Sequence, residues 1–209
     1  MKVIFIDFDG VINTVQDKYD LAINGISEET AKKRITKRLE ILADACKEND
    51  AKVVIESAYK EKIDPETLES NVEWIQEYLN VLKENGIEVI GRTPCLEEFR
   101  EDYDGKPPIW KEDEILEYLR RHPEIDSYCV IDDDDLVTIP ARIDGDFSRS
   151  DLNKVRDHLV AIYPVDSKGR FNVGLQEYHK EEIGKILEKK IDREKVRNLK
   201  WKKKKAVEY

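Results

Sequence analysis

The 209-residue chain carries 36 basic and 46 acidic side chains, for a formal net charge of −10, and is 39% charged and 40% hydrophobic. That apolar share supports one sizeable core and is too large for a disordered chain. No apolar run approaches the roughly 18 residues of a membrane-crossing helix, so an ordinary membrane span is excluded.

In chain order, Val3 to Ile6 is a short apolar run that stops at Asp7. Such runs suit strands buried on both faces of a parallel sheet. Ser27 is placed to cap a helix from Glu28 to Glu48, where Ile35, Leu39, Leu42 and Cys46 recur at helical spacing. Val53 to Ile55 reads as a second strand. A helix from about Pro65 to Asn85 puts Val72, Ile75, Leu79 and Leu82 on one face, and Gly86 can terminate it. Ile87 to Ile90 reads as a third strand. Trp110 to Arg121 reads as a helix with Ile115 and Leu119 inward, and Tyr128 to Ile131 as a fourth strand that again ends in aspartate. A further helix is predicted over Ser150 to Ala161, then a boundary near Pro164 to Gly174, then a helix from about Glu177 to Lys190.

Strands alternating with helices of this length imply right-handed βαβ units and a doubly wound, Rossmann-like α/β fold with a mostly parallel sheet. Ligands of such sheets sit at the carboxyl ends of the strands. The expected division is a domain over residues 1–175 and a helical, basic C-terminal extension over 176–209.

The charge is unevenly spread. Residues 176–209 hold 12 Lys and Arg against 7 Asp and Glu, so an acidic body precedes a basic tail. The tail includes Lys202, Lys203, Lys204 and Lys205 beside Trp201. A basic run with an aromatic neighbour can track phosphates and stack a base, and it is equally the composition of a solvated terminus. The acidic total therefore does not exclude a nucleic-acid partner; it makes any such contact local. Cys46, Cys95 and Cys129 are odd in number, far apart and without zinc spacing. Together with an opening that reads as a strand, they make reduced, cytoplasmic residence the expectation.

Chemistry concentrates at two strand ends. In Asp7-Phe8-Asp9-Gly10-Val11, two carboxylates lie two residues apart and Gly10 permits the chain to turn. Adjacent carboxylates repel unless a cation lies between them, and oxygen ligands suit Mg²⁺. One aspartate could attack phosphorus while the other manages the proton of the leaving group. After Ile131 come Asp132, Asp133, Asp134 and Asp135, a run that is unfavourable without counterions. Between the clusters, Lys111 opens the third helix and could hold a phosphate oxygen. Each feature has a plainer reading alone: an ordinary Asp-x-Asp-Gly turn, a solvated acidic loop, a surface lysine.

Together they resemble the haloacid-dehalogenase-like (HAD) phosphohydrolase superfamily over about residues 1–140. Asp7-Phe8-Asp9-Gly10-Val11 is similar to its first signature. Val53-Val54-Ile55-Glu56-Ser57 stands where the second is expected. Lys111 matches the third, and Val130-Ile131-Asp132-Asp133 the fourth. The stretch from Lys111 through Glu114-Ile115-Leu116 and His122-Pro123 to Asp134 resembles a small subfamily of HAD domains found in RNA-repair (Swiss Army Knife) and polynucleotide phosphatase proteins.

The resemblance implies that Asp7 is the nucleophile forming an aspartyl-phosphate and Asp9 the acid, then the base. It implies Mg²⁺ held by Asp7, the backbone carbonyl of Asp9 and Asp133, with Asp132 supporting. Ser57, Lys111 and Gly10 would bind the phosphoryl group. One position departs from the pattern: the family places Ser or Thr directly after the second strand, and here Glu56 stands there, with Ser57 one residue later. A one-residue slip would change which of them faces the site, and Lys60 could offset the charge.

The gap from Asn13 to Ser27 is too short for a cap domain. The loop from Arg92 to Trp110, about 19 residues carrying Arg92, Arg100, Lys106 and Pro107-Pro108, allows only a flap. An open site admits the end of a polymer. The leading expectation is a Mg²⁺-dependent phosphomonoesterase, with polynucleotide 3′-phosphate ends as candidate substrates. The alternatives are a catalytically weak HAD-fold module that binds nucleic acid or protein, and a small-molecule phosphatase or nucleotidase. His122, a surface residue at a helix end before Pro123, His158, in the helix predicted over Ser150 to Ala161, and His179, at the start of the tail, are not read as catalytic, and Trp74, Tyr103, Tyr118 and Tyr128 are read as packing residues.

Overall fold

The computed structural model describes residues 1–95, 98–100, 111–133, 155, 157–162, 173–197 and 201–203. Its centre is a five-stranded, all-parallel sheet made of β1 (Lys2–Ile6), β2 (Ala51–Ile55), β3 (Val89–Arg92), β5 (Ser127–Asp132) and β6 (Leu159–Ala161), in the order β3-β2-β1-β5-β6. A separate antiparallel pair joins β4 (Glu98–Arg100) to β7 (Trp201–Lys203). The helices are α1 (Val15–Tyr19), which runs into a π-helical turn over Asp20–Asn24, α2 (Glu28–Asn49), α3 (Glu73–Glu84), α4 (Lys111–Arg121), α5 (His179–Leu187) and α6 (Arg193–Arg197).

Strand alternation sorts the core into two layers. Ile4, Ile6, Val53, Ile55, Cys129 and Ile131 face one side, where α2, α3 and α5 add Leu39, Leu42, Ile75, Leu82, Ile183 and Leu187. Val3, Phe5, Val54, Tyr128 and Val130 face the other, where α4 and α6 add Ile115, Leu119 and Val196. This is the two-faced burial of a parallel sheet and the reason its strands read as continuous apolar runs. Ser27 caps α2, its side chain accepting a hydrogen bond from the Thr30 amide.

Three predicted elements differ from those found. The helix expected from Pro65 begins only at Glu73. Upstream, the Asp64 side chain accepts from the Glu66 and Thr67 amides and closes a turn that competes with helix. The third strand lies two residues later than expected, at Val89–Arg92, because Ile87 still packs beneath α3 through a bond from its amide to the Leu82 carbonyl. The predicted helix over 150–161 is corrected at its end, where Leu159–Ala161 is a parallel strand beside β5. Three residues are too few to show a period by themselves, and only the neighbouring strand identifies them. The basic run's Lys204 and Lys205, the loop residues Tyr103, Lys106, Pro107, Pro108 and Trp110, and Asp134 and Asp135 lie outside the described residues. Among the described residues, no helix is long and apolar enough to cross a membrane.

Candidate active site

Register brings the functional residues together. Ile6 pairs with Ile55 and with Ile131, and Ile55 pairs with Arg92. The ladder runs one residue further: the Asp7 amide donates to the Ile131 carbonyl, the Glu56 amide to Ile6, and the Thr93 amide to Ile55. Thr93, Glu56, Asp7 and Asp132 therefore form one row across four strands at the carboxyl edge of the sheet. Ile6, Ile55 and Ile131 face the α2 and α3 side, so the next residue along each strand turns toward α4. The first residue of α4 is Lys111.

Lys111 bridges the row. Its Nζ donates to Asp7 Oδ2 and lies 2.8 Å from Asp132 Oδ2. Asp7 is nearly buried and Asp132 fully so, whereas the Lys111 side chain stays about a quarter exposed. Burial works against the lysine charge, but Asp132 and Asp7 outweigh it and hold the Lys111 pKa above the ordinary lysine range. The second Asp7 oxygen accepts from the Phe8 amide at 2.6 Å. Asp7, Asp132 and Asp133 each bring a carboxylate oxygen to one place, all within 4.8 Å of one another. Gly10 makes room for them: its φ is +72°, and a Cβ there would collide with the Asp133 carboxylate. Three hard oxygen donors, converging where a backbone without a side chain leaves space, fit Mg²⁺.

Asp9 stands apart from that trio. Its partly exposed carboxylate lies 3.8 Å from the Lys18 Nζ and is the first cause holding the Tyr59 phenol above its ordinary pKa. The turn that carries it is closed by bonds from the Gly10 amide to the Asn13 carbonyl and from the Ile12 and Asn13 amides to Phe8. Beneath the turn, Arg38 of α2 donates to the carbonyls of Ile12 and Val173 and pairs with buried Asp17.

Glu56 lies in the row beside Asp7, yet its carboxylate is fully buried and engaged. Lys60 Nζ lies 3.1 and 3.3 Å from its two oxygens, Thr93 Oγ1 donates to it, and Lys60 also pairs with Glu114 of α4. Burial pushes the Glu56 carboxyl up to about 8, against the pull of Lys60. Ser57 is buried too, and its Oγ accepts from the Tyr59 amide at 3.4 Å. The pairing of Glu56 with Lys60 was legible in their spacing. Thr93 was not, because the third strand was placed too early.

The histidines are structural. His158 stacks on Tyr128 at 4.0 Å with Nδ1 at 2.8 Å from the Tyr128 carbonyl, His122 stacks on Tyr118, and His179 Nδ1 accepts from the Gln176 amide. Tyr118 and Tyr128 pack edge-on against Phe5.

A family model described as the HAD domain in Swiss Army Knife RNA repair proteins matches residues 3–164. No curated protein and no solved structure matches the chain. The match runs from β1 past β6, covers every member of the Thr93, Glu56, Asp7 and Asp132 row, and supports hydrolase chemistry of the HAD type. Strand order, the carboxylates at the strand ends and the matched span lead to one conclusion: the chain belongs to the family of HAD domains found in Swiss Army Knife RNA repair proteins.

Proposed function

We propose that this protein is a Mg²⁺-dependent phosphomonoesterase that works through an aspartyl-phosphate on Asp7, with the phosphorylated 3′ end of a polynucleotide as its substrate class. The observation that carries the reading is Lys111 lying between Asp7 and Asp132 while Asp133 closes the oxygen trio. In this reading Asp7 attacks phosphorus, and its position at the end of a buried strand fixes its approach. Lys111 meets the phosphoryl oxygens, where its charge is worth more in the transition state than in the ground state. Asp9, more exposed than Asp7, faces the leaving group: it gives the alcohol a proton and later takes one from water. Asp7, Asp132 and Asp133 would hold Mg²⁺, which when bound offsets charge on the phosphoryl group. Family membership supports the nucleic-acid substrate, and the basic run at Lys202 to Lys205 is compatible with it.

The test is phosphate release from a 3′-phosphorylated oligonucleotide and from a mononucleotide, with and without Mg²⁺, in wild type and Asp7→Asn. We expect Mg²⁺-dependent release, faster from the oligonucleotide, that falls by about three orders of magnitude in Asp7→Asn. Equal release by both proteins would sink the catalytic reading, and preference for the mononucleotide would sink the polymer one. Glu56 favours a second reading, a binding module with weak catalysis, because a carboxyl stands in the row where the family pattern has a hydroxyl. Under it, oligonucleotide binding survives in wild type and in Asp7→Asn while turnover is absent from both.

A further inference from the structure

The row at the carboxyl edge of the sheet is tied to α4 twice. Lys111, the first residue of α4, holds Asp7 and Asp132. Glu114 stands three residues later, so it leaves the first turn of the helix on the same face as Lys111. Glu114 meets Lys60, and the Lys60 Nζ lies 3.1 and 3.3 Å from the two oxygens of Glu56. Thr93 Oγ1 donates to the same Glu56 carboxylate. The start of α4 is thus fixed to Asp7 and Asp132 through Lys111, and to Glu56 and Thr93 through Lys60. Lys60 itself is built into the fold. It opens the 3₁₀ turn Lys60–Lys62 after β2, its amide donates to the Ser57 carbonyl, and its carbonyl accepts from the Ile63 amide, each at 3.0 Å. It is 6% exposed, and both of its side-chain partners are carboxylates. Burial works against its charge, but Glu56 and Glu114 outweigh it and hold its pKa above the ordinary lysine range. A buried cation engaged in this way braces two elements against each other, whereas Lys111 is the more exposed of the two lysines and lies at the oxygen trio.

We propose that Lys60 and Glu114 are positioning residues: their ion pair, anchored on Glu56, holds the first turn of α4 against the strand ends and so fixes where the Lys111 ammonium meets the phosphoryl oxygens. This rests on the phosphatase reading above and adds two residues to it. It also gives Glu56 a use. A carboxyl at that position would repel a phosphate if it faced one; turned into the pair with Lys60, it anchors the brace that places Lys111. The position then serves phosphate binding through a lysine on another element.

The sign of the effect separates positioning from a simple change of field. Glu114→Leu removes a negative charge near the site, which by field alone would tighten anion binding. Positioning predicts the opposite. By titration calorimetry of the full chain with inorganic phosphate in the presence of Mg²⁺, we expect Glu114→Leu to weaken binding about tenfold. Glu114→Gln, which keeps an acceptor for Lys60, should recover affinity to within about threefold of wild type. Beside Lys111→Ala, adding Glu114→Leu should change affinity by less than about twofold, because the group being positioned is gone. Glu114→Leu leaves Lys60 paired with Glu56 and should fold. If its melting shows that it does not, Lys60→Gln replaces it in the cycle, with the same loss expected alone and the same absence of further loss beside Lys111→Ala. Phosphate affinity that is unchanged or tighter in Glu114→Leu, or a full further loss beside Lys111→Ala, in a chain whose wild type releases phosphate, overturns the inference alone. A wild type that releases no phosphate overturns the phosphatase reading and the inference with it.

Discussion

Gly10 shows how much of the site rests on a missing side chain. Its positive φ is one that L side chains rarely adopt, and the space a Cβ would fill is occupied by the Asp133 carboxylate. Gly10→Ala should leave the sheet intact and push Asp133 out of the oxygen trio. Wild type should unfold at a higher temperature as Mg²⁺ is added, because a ligand of the native state stabilises it by mass action. In Gly10→Ala that rise should shrink or vanish, as read by calorimetry across a Mg²⁺ series. A full rise in the variant would mean that Asp133 does not hold the ion. The aspartates themselves were legible from sequence, since carboxylates that end buried strands have few structural uses. Glu56 was legible as a departure with Lys60 near it, but its place beside Asp7 follows from pairing with Ile6, its tie to Thr93 spans 37 positions, and the tie of Lys60 to Glu114 spans 54.

At the scale of elements, α2 is more than a cover for the sheet. Arg38 on its inner face joins the Asp9 turn, through the Ile12 carbonyl, to the segment before α5, through the Val173 carbonyl, and neutralises buried Asp17. Gly174 completes the joint: it has φ +75°, its missing Cβ leaves room for the Val11 carbonyl, and the next amide, Leu175, donates to that same carbonyl at 3.0 Å. Arg38→Met keeps the length of the side chain but leaves Asp17 with a weaker set of partners. We expect a loss of about 3 kcal/mol in denaturant unfolding, together with reduced turnover, because the turn that carries Asp9 loses its support. A loss below about 1 kcal/mol would show that Arg34 and Thr14 alone satisfy Asp17. The heptad-like spacing of α2 revealed its apolar stripe. It could not reveal that a charged residue on the same helix, Arg38, is buried as well, since nothing in the spacing sets Arg38 apart from the neighbouring Lys32, Lys33, Arg34 and Lys37.

For the whole molecule, the C-terminal segment divides into two parts. Ile183, Ile186 and Leu187 of α5 are buried in the core that also holds Ile4 and Ile6 of β1, and Val196 of α6 packs with Phe5. Any truncation that tests the basic run must therefore keep these helices. A chain ending at Arg197 keeps both helices and the five-stranded sheet and loses the pairing of β4 with β7. If Lys202 to Lys205 contact phosphates, it should show a weaker salt dependence of oligonucleotide turnover than the full chain while its activity on a mononucleotide stays unchanged. Unchanged salt dependence would remove the basic run from the substrate path. Stability should also carry a histidine signature. Burial lowers the pKa of His158 and, likewise, of His179 below the ordinary 6.5. The unfolded chain then takes up protons as pH falls below about 6.5 while the folded one resists, so this contribution is complete above that pH and lost beneath it. Glu56, pushed up to about 8, acts in the opposite sense over its own range, so the useful measurement is a difference. His158→Phe, which preserves the stack on Tyr128, should lose less melting temperature than wild type between about pH 7.5 and pH 5.5.

The sequence by itself determined the doubly wound α/β class, four of the five sheet strands, the carboxylates at two strand ends and the lysine that opens α4. These are local properties: a run buried on both faces, a helical stripe and a turn glycine all act over a few neighbouring residues. The tertiary structure alone decided the rest. It identified β6, whose three residues are a strand only because β5 lies beside them. It set the row in which Thr93, Glu56, Asp7 and Asp132 meet, which depends on register between strands up to 125 residues apart. It set the Tyr59 ring edge-on against Trp74 of α3, 15 positions away. Contacts between distant segments leave no period in the chain, because each partner is chosen by the packing of the whole sheet and not by its neighbours in sequence.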